Sequence, residues 1–172
     1  MNLARIIEDF ESDGTPLIRT DFTNDTAWRA VADAVSKPVD FDDPDNPEPG
    51  DGAYSPNITA VDDRAFEGVT SVLLGEAFST TDGVGGYVLL ADSRSMTEAL
   101  ADGELTVDYV DLSVSDPEDA ELFNSFMGRS FRCVVPEIAS IEANLSISNV
   151  DFDEFADSTD PDGVFRGLAD GN

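Results

Sequence analysis

Apolar residues recur along this chain with two spacings, one helical and one that suits strands. Leu3, Ile6, Ile7 and Phe10 share one helical face and Glu8, Asp9 and Glu11 flank it, which predicts a short amphipathic helix before the Gly14-Thr15-Pro16 break. Leu17 to Asp21 reads as a short strand. Asn24 or Asp25 then supplies the cap of a helix running to Val35, with Trp28, Val31 and Val35 turned inward. Ile58 to Val61 is a second strand, followed by Asp62-Asp63 as cap candidates and a helix or turn carrying Phe66, Val69, Val72, Leu73 and Leu74.

The run Gly86 to Ala91 is the most apolar, and its continuity predicts a central strand covered on both faces. Asp92 closes it and Ser95 is the expected cap of a helix through Leu100. Leu105 to Val114 alternates, with Val107 and Tyr109 on one face and Asp108, Val110 and Leu112 on the other. A connection, Ser115 to Gly128, leads to a strand at Phe131 to Val135. Pro136 opens a helix in which Ile138, Ile141 and Leu145 recur at helical spacing. Phe152, Phe155, Val164 and Phe165 supply the apolar set of a C-terminal lobe.

Strands interleaved with helices, ending in an antiparallel pair, predict one α/β domain over residues 1–172. Its sheet is mixed and mostly parallel, with flanking helices and a helical C-terminal lobe. Residues 40–56 are rich in Pro, Asp and Gly and poor in apolar side chains, so they are expected to form a mobile acidic surface loop.

Charge changes the picture most. Against 37 Asp and Glu stand nine Lys and Arg, a net charge of -28, and Lys37 is the one lysine. The acids are interleaved with Leu, Ile, Val and Phe along the whole length, so the expected surface is acidic throughout and not tailed by a disordered segment. Such a surface repels itself in dilute buffer, whereas at about 1 M salt the screening length shrinks to roughly 3 Å. A salt-rich cytosol is the expected setting. The same electrostatics disfavour nucleic acid as a partner, and dispersed carboxylates do not imitate the spaced phosphates of a duplex. No stretch approaches the roughly 20 apolar residues that cross a bilayer, and residues 1–13 hold no basic region followed by an apolar run.

Histidine is absent, which removes His-based triads, His metal sites and the ordinary general base near neutral pH. The lone cysteine, Cys133, sits in an apolar strand and reads as a small buried hydrophobe. Asp21, Asp62 or Asp63, and Asp92 each follow a predicted strand, so in a parallel sheet they fall on its carboxyl edge, where α/β proteins build sites. Asp21, Asp63 and Asp92 are therefore the candidate ligands of a carboxylate-based metal site for hydrolysis or phosphotransfer, although such a site needs a Lys or Arg to balance phosphate charge and the lone Lys37 lies beside the acidic loop and not at a strand end. Ser158 to Gly163 lacks the bidentate Glu of a calcium loop and reads as a capped turn. Gly83, Gly85 and Gly86 precede a strand, which makes them a turn and not a phosphate cradle.

Two stretches carry a family resemblance. The first is Ile18-Arg-Thr-Asp-Phe22 with Asp25 to Trp28; the second, more specific, is Phe131-Arg132, Val135-Pro136, Ser140-Ile141-Glu142, Asn144-Leu145-Ser146-Ile147, Asn149, Asp151-Phe152, Phe155-Ala156-Asp157 and Asp162 to Gly167. The pattern resembles a family of bacterial and archaeal proteins classed as a domain of unknown function, with Ala139 standing where that pattern has an aromatic. The resemblance implies a compact α/β domain and transfers no catalytic residue.

With neither a histidine nor a phosphate loop, the leading expectation is a non-enzymatic protein-binding or regulatory module that uses no cofactor. Its partner is expected to be another protein, met through the polar C-terminal motif of Arg132, Glu142, Asn144, Asn149, Asp151 and Arg166. A further expectation is a small-molecule pocket walled by Trp28, Phe131, Glu142 and Asn144.

Overall fold

A computed structural model describes Leu3, Ile6, Ile7 and residues 14–40, 53–80 and 85–168. Leu3, Ile6 and Ile7 are helical and Ile7 is fully buried, as the opening periodicity predicts. Phe10, most of the 40–56 loop, and Gly83 lie outside the described residues.

Six strands form one sheet in the order β2-β1-β3-β4-β5-β6. They are β1 (Thr15–Arg19), β2 (Ile58–Val61), β3 (Tyr87–Ala91), β4 (Thr106–Asp111), β5 (Arg129–Val134) and β6 (Val164–Phe165). β1 pairs parallel with both β2 and β3, β4 runs antiparallel to β3 and β5, and β6 returns parallel to β5. The chain therefore leaves β1 to one side and comes back on the other, which puts a topological switch point between β1 and β3.

Helix starts follow local capping chemistry. α1 (Asp25–Val35) begins where the Asn24 side chain accepts from the amides of Thr26 and Ala27, and it buries Ala27, Trp28, Val31 and Val35. A 3-10 turn, Arg64–Phe66, is capped by Asp63. α2 (Ser71–Ser79) is a separate helix capped by Thr70. α3 (Ser93–Ala99) is capped by Asp92 and not by Ser95, whose amide is instead the donor to Asp92. Asp92 lies one residue outside the helix with extended backbone, the geometry a cap requires, whereas Ser95 is already inside the first turn.

The Ser115–Gly128 connection contains a further helix, α4 (Pro117–Leu122), capped by Asp116 with Pro117 at its first turn. After β5 and a 3-10 turn, Val135–Glu137, come α5 (Ile138–Ser146) and α6 (Phe152–Asp157).

Alternation along β4 sends Val107 and Tyr109 to one face and Val110 and Leu112 to the other, so the sheet is packed on both sides. One layer joins Trp28, Leu89, Tyr109, Phe131, Ile138, Phe152, Phe155 and Phe165. The other joins Ile7, Ile18, Phe66, Leu74, Phe78, Val88 and Val110. Within α2, Leu74 and Phe78 face that second layer, while Val72 and Leu73 are 64% and 45% exposed. The apolar run 72–74 is therefore not all core, because only one stripe of a short helix can face the sheet.

Candidate functional site

The three parallel strands do bring Asp21, Asp62-Asp63 and Asp92 to one sheet edge, at the switch point. What fills that edge is a buried guanidinium. Arg19, 2% exposed, donates to Asp62 at 3.3 Å, to Asp25 at 2.8 Å and to the Asp21 carbonyl at 3.0 Å. Its cationic carbon lies 4.5 Å from the Phe22 ring centre and 5.8 Å from that of Trp28. The crevice is stitched shut beside it: Thr20 donates its amide to the Ala91 carbonyl at 3.0 Å, and Gly68 donates to the Thr20 carbonyl at 2.9 Å.

The carboxylates themselves serve local tasks. Asp21 accepts from the amide and hydroxyl of Thr23 at 2.8 and 2.6 Å, and Asp63 accepts from the Ala65 amide at 2.8 Å. Asp92 accepts from the Ser95 amide and pairs with Arg132. Among the described residues, no group of three His, Cys, Asp or Glu side chains is placed to hold a metal ion.

Arg132 anchors a second network. It also donates to the Thr106 hydroxyl at 3.0 Å, and Thr106 in turn donates its hydroxyl and amide to Glu98 at 2.6 and 2.8 Å. Across the β4–β5 register from Arg132 stands Asp108. Burial pushes Asp108 up from 3.8 to about 6, with Arg132 and the Ser130 hydroxyl opposing the rise and Asp92 adding to it.

The sign of the resulting pH dependence follows directly. Below about pH 4 both folded and unfolded chains hold the proton and Asp108 costs nothing. Between about 4 and 6 only the folded chain holds it, so stability falls as pH rises, and above about 6 the full cost is present. Asp108→Asn is expected to stabilise the fold by about 1–3 kcal/mol at pH 7 and to lose that advantage at pH 4. Urea unfolding of both proteins at the two pH values checks it; a variant less stable than the parent at pH 7 contradicts the account.

The residues of the C-terminal motif each make contacts within the fold. Arg166 donates to Glu104 at 2.9 Å, Asp160 at 2.7 Å and Asp162 at 2.8 Å, and this pairing holds Asp162 down to about 2. Asn144 donates to the Ser140 carbonyl and Asn149 to Asn144, each at 2.8 Å. Asp151 forms a capping box with Glu154 at the start of α6. Glu142 takes the Tyr54 hydroxyl at 2.6 Å and the Asn57 amide at 3.1 Å on one oxygen, which fastens α5 to the segment before β2. Burial, and then this bond to Glu142, pushes Tyr54 up to about 12. The six motif residues thus serve several separate clusters.

Trp28 and Phe131, 6% and 5% exposed, are core side chains, while Glu142 lines a different cleft with Gly14, Asn57 and Tyr87. The four residues expected to wall one pocket are therefore divided between core and edge. Cys133 is buried in the same core layer, and burial raises its thiol well above the ordinary range, as expected of an inert hydrophobe.

The surface feature that stands apart lies in the connection read from sequence as lacking an element. Leu122, Phe123 and Phe126 are 75%, 45% and 61% exposed. They end α4 and follow it, set among Asp116, Glu118, Asp119 and Glu121. Phe126 borders a cleft of about 400 Å³ that runs between Phe78 and Ser79 of α2 on one side and Ala120 and Met127 on the other, while Phe123 borders a separate cleft with Tyr87 and Asp151. α2 approaches this segment closely because Gly75 has no side chain: a Cβ there would stand 2.5 Å from the Met127 carbonyl oxygen. The signal available in the sequence was Asp116-Pro117-Glu118-Asp119, a cap, a first-turn proline and first-turn acids.

The sequence profile of one family, described as a domain of unknown function (DUF6924), matches residues 14–168. Comparison with curated proteins and with solved structures returned no match.

Proposed function

The chain belongs to the DUF6924 family, and we propose that it is a protein-binding module whose docking surface is the cleft between α2 and α4. The observation that carries this reading is the trio Leu122, Phe123 and Phe126, large apolar side chains held out of the core within an acidic segment. Large exposed aromatics beside a groove are the anchors that protein interfaces use. The rim of Asp116, Glu118, Asp119 and Glu121 selects a partner segment with an apolar face and flanking Lys or Arg. At the sheet edge, by contrast, Arg19 is paired with Asp25 and Asp62, Arg132 with Asp92, and Asp21 and Asp63 accept from nearby amides.

Net charge of -28 makes a salt-rich cytosol the medium in which this surface works. There long-range attraction is screened, and apolar contact supplies most of the affinity.

The test places a photo-crosslinking residue at Leu122 and irradiates a native lysate at about 1 M salt, where surface charge is largely screened. One dominant crosslinked protein is expected, joined through a basic, apolar segment and lost on Phe126→Ser. Crosslinking no stronger than from the same probe at Ser36, the residue that ends α1, or crosslinking indifferent to Phe126→Ser, defeats the reading.

A further inference from the structure

A large apolar cleft lies away from the α2–α4 surface. It encloses about 600 Å³ and is built where four stretches meet: the end of α1, the segment before β2, the residues leading into β4, and the junction of β5 with α5. Val35, Leu105, Val134, Pro136 and Ala139 line it. A cavity of this size with apolar walls and few polar groups is what small-molecule sites look like. Pro136 stiffens the wall at the β5–α5 junction by fixing its own backbone angle.

Among the described residues, two charged side chains reach this cleft, Lys37 and Glu104. Their states differ. Glu104 is taken by Arg166, which donates to both of its oxygens at 2.9 and 3.0 Å. Lys37 forms no ion pair among the described residues and is exposed. Among the described residues, an apolar cleft therefore carries a single uncommitted positive charge at its lip, on a protein otherwise dominated by carboxylates.

From this geometry we propose that the cleft binds a small anionic amphiphile, with its apolar body against Val35, Leu105, Val134 and Ala139 and its carboxylate at the Lys37 ammonium. The charge argument decides the class. A cationic ligand would be drawn to the acidic surface in many places and would meet repulsion at this lip, whereas an anion is repelled almost everywhere else on the molecule and finds its counter-charge here. The apolar walls supply affinity and Lys37 supplies orientation, the usual division of labour in such pockets.

Decanoate and decanol serve as probes, titrated below their aggregation concentrations into the 15N-labelled protein at about 0.5 M salt. Decanoate is expected to give saturable shifts at the amides of Val35, Leu105, Val134 and Ala139, and decanol to bind about fivefold more weakly. Lys37→Glu is expected to weaken decanoate by more than that while leaving decanol unchanged, and Lys37→Arg to retain decanoate. Ala34→Trp, which projects a ring into the cleft from α1, is expected to abolish both while the thermal midpoint holds.

Decanol binding the parent as tightly as decanoate overturns the proposal, as does decanoate binding that survives Lys37→Glu. So do shifts confined to other parts of the chain. Lys37 is exposed and its variants do not touch the core, so these readouts stand even where Ala34→Trp fails to fold.

Discussion

Phe131→Ala is expected to cost about 3–5 kcal/mol of folding stability, the largest loss from any single side chain on the sheet. Phe131 is the hub of an aromatic layer. Its register partner Tyr109 stacks on it at 5.7 Å, Phe152 stands 5.0 Å away, and Phe155 and Phe165 lie at 6.2 and 6.0 Å. These rings come from β4, α6 and β6, so one side chain ties the C-terminal lobe to the sheet. Truncation removes a buried ring and leaves a cavity that four rigid neighbours cannot collapse into. It also removes aromatic pairings worth about 0.5–1.5 kcal/mol each beyond their buried area.

Phe131→Leu retains most of the volume and should cost about half as much. Denaturant unfolding with an unchanged m-value measures both, and a loss under about 1 kcal/mol for the alanine variant would show that the lobe is held by something else.

The second large effect comes from the solvent. Lowering salt from about 1 M to about 0.1 M lengthens the screening distance from roughly 3 to 10 Å, a span that reaches from one surface carboxylate to several neighbours. Folding brings the carboxylates of a chain with a net charge of -28 closer together than the unfolded chain holds them, so repulsion penalises the folded state more. A destabilisation on the order of 5 kcal/mol is expected, which at this chain length lowers the thermal midpoint by roughly 10–20 °C.

Ion pairs respond in the opposite sense, since the Arg166 cluster with Glu104, Asp160 and Asp162 strengthens as salt falls. Exposed pairs of this kind are worth about 0–1 kcal/mol apiece, too little to reverse the trend. Calorimetric midpoints across a salt series decide the matter; a flat series would mean that the acids are paired off or neutralised by bound cations.

Much of the fold was legible in single residues. The unbroken run Tyr87 to Ala91 gave the central strand, because only a strand covered on both faces can be apolar without alternation. The alternation around Tyr109 gave β4 with both of its faces, and Asn24, Asp63 and Pro136 announced starts of helical turns through hydrogen-bonding and backbone rules that act over a few residues. Family membership was legible too, in the Ile18–Trp28 and Phe131–Gly167 patterns that fall inside the matched span.

A run of apolar residues does not say which of Val72, Leu73 and Leu74 faces the sheet; that is fixed by how α2 docks against Met127 and Gly128. α4 buries none of its residues, so its sequence carries no inward stripe to announce it.

What the sequence determined by itself is therefore whatever depends on composition and near neighbours: strand and helix identity, caps, the net charge, the absence of histidine and the place of Cys133 in an apolar strand. What only the tertiary structure decided is which charges meet. Arg19 and Asp62 are 43 positions apart and Arg166 and Glu104 are 62 apart, and chain spacing carries no record of such encounters. They depend on strand order and on the packing of layers across the sheet, and that packing divides the polar C-terminal motif among separate clusters while leaving Leu122, Phe123 and Phe126 in solvent and Lys37 at the lip of an apolar cleft.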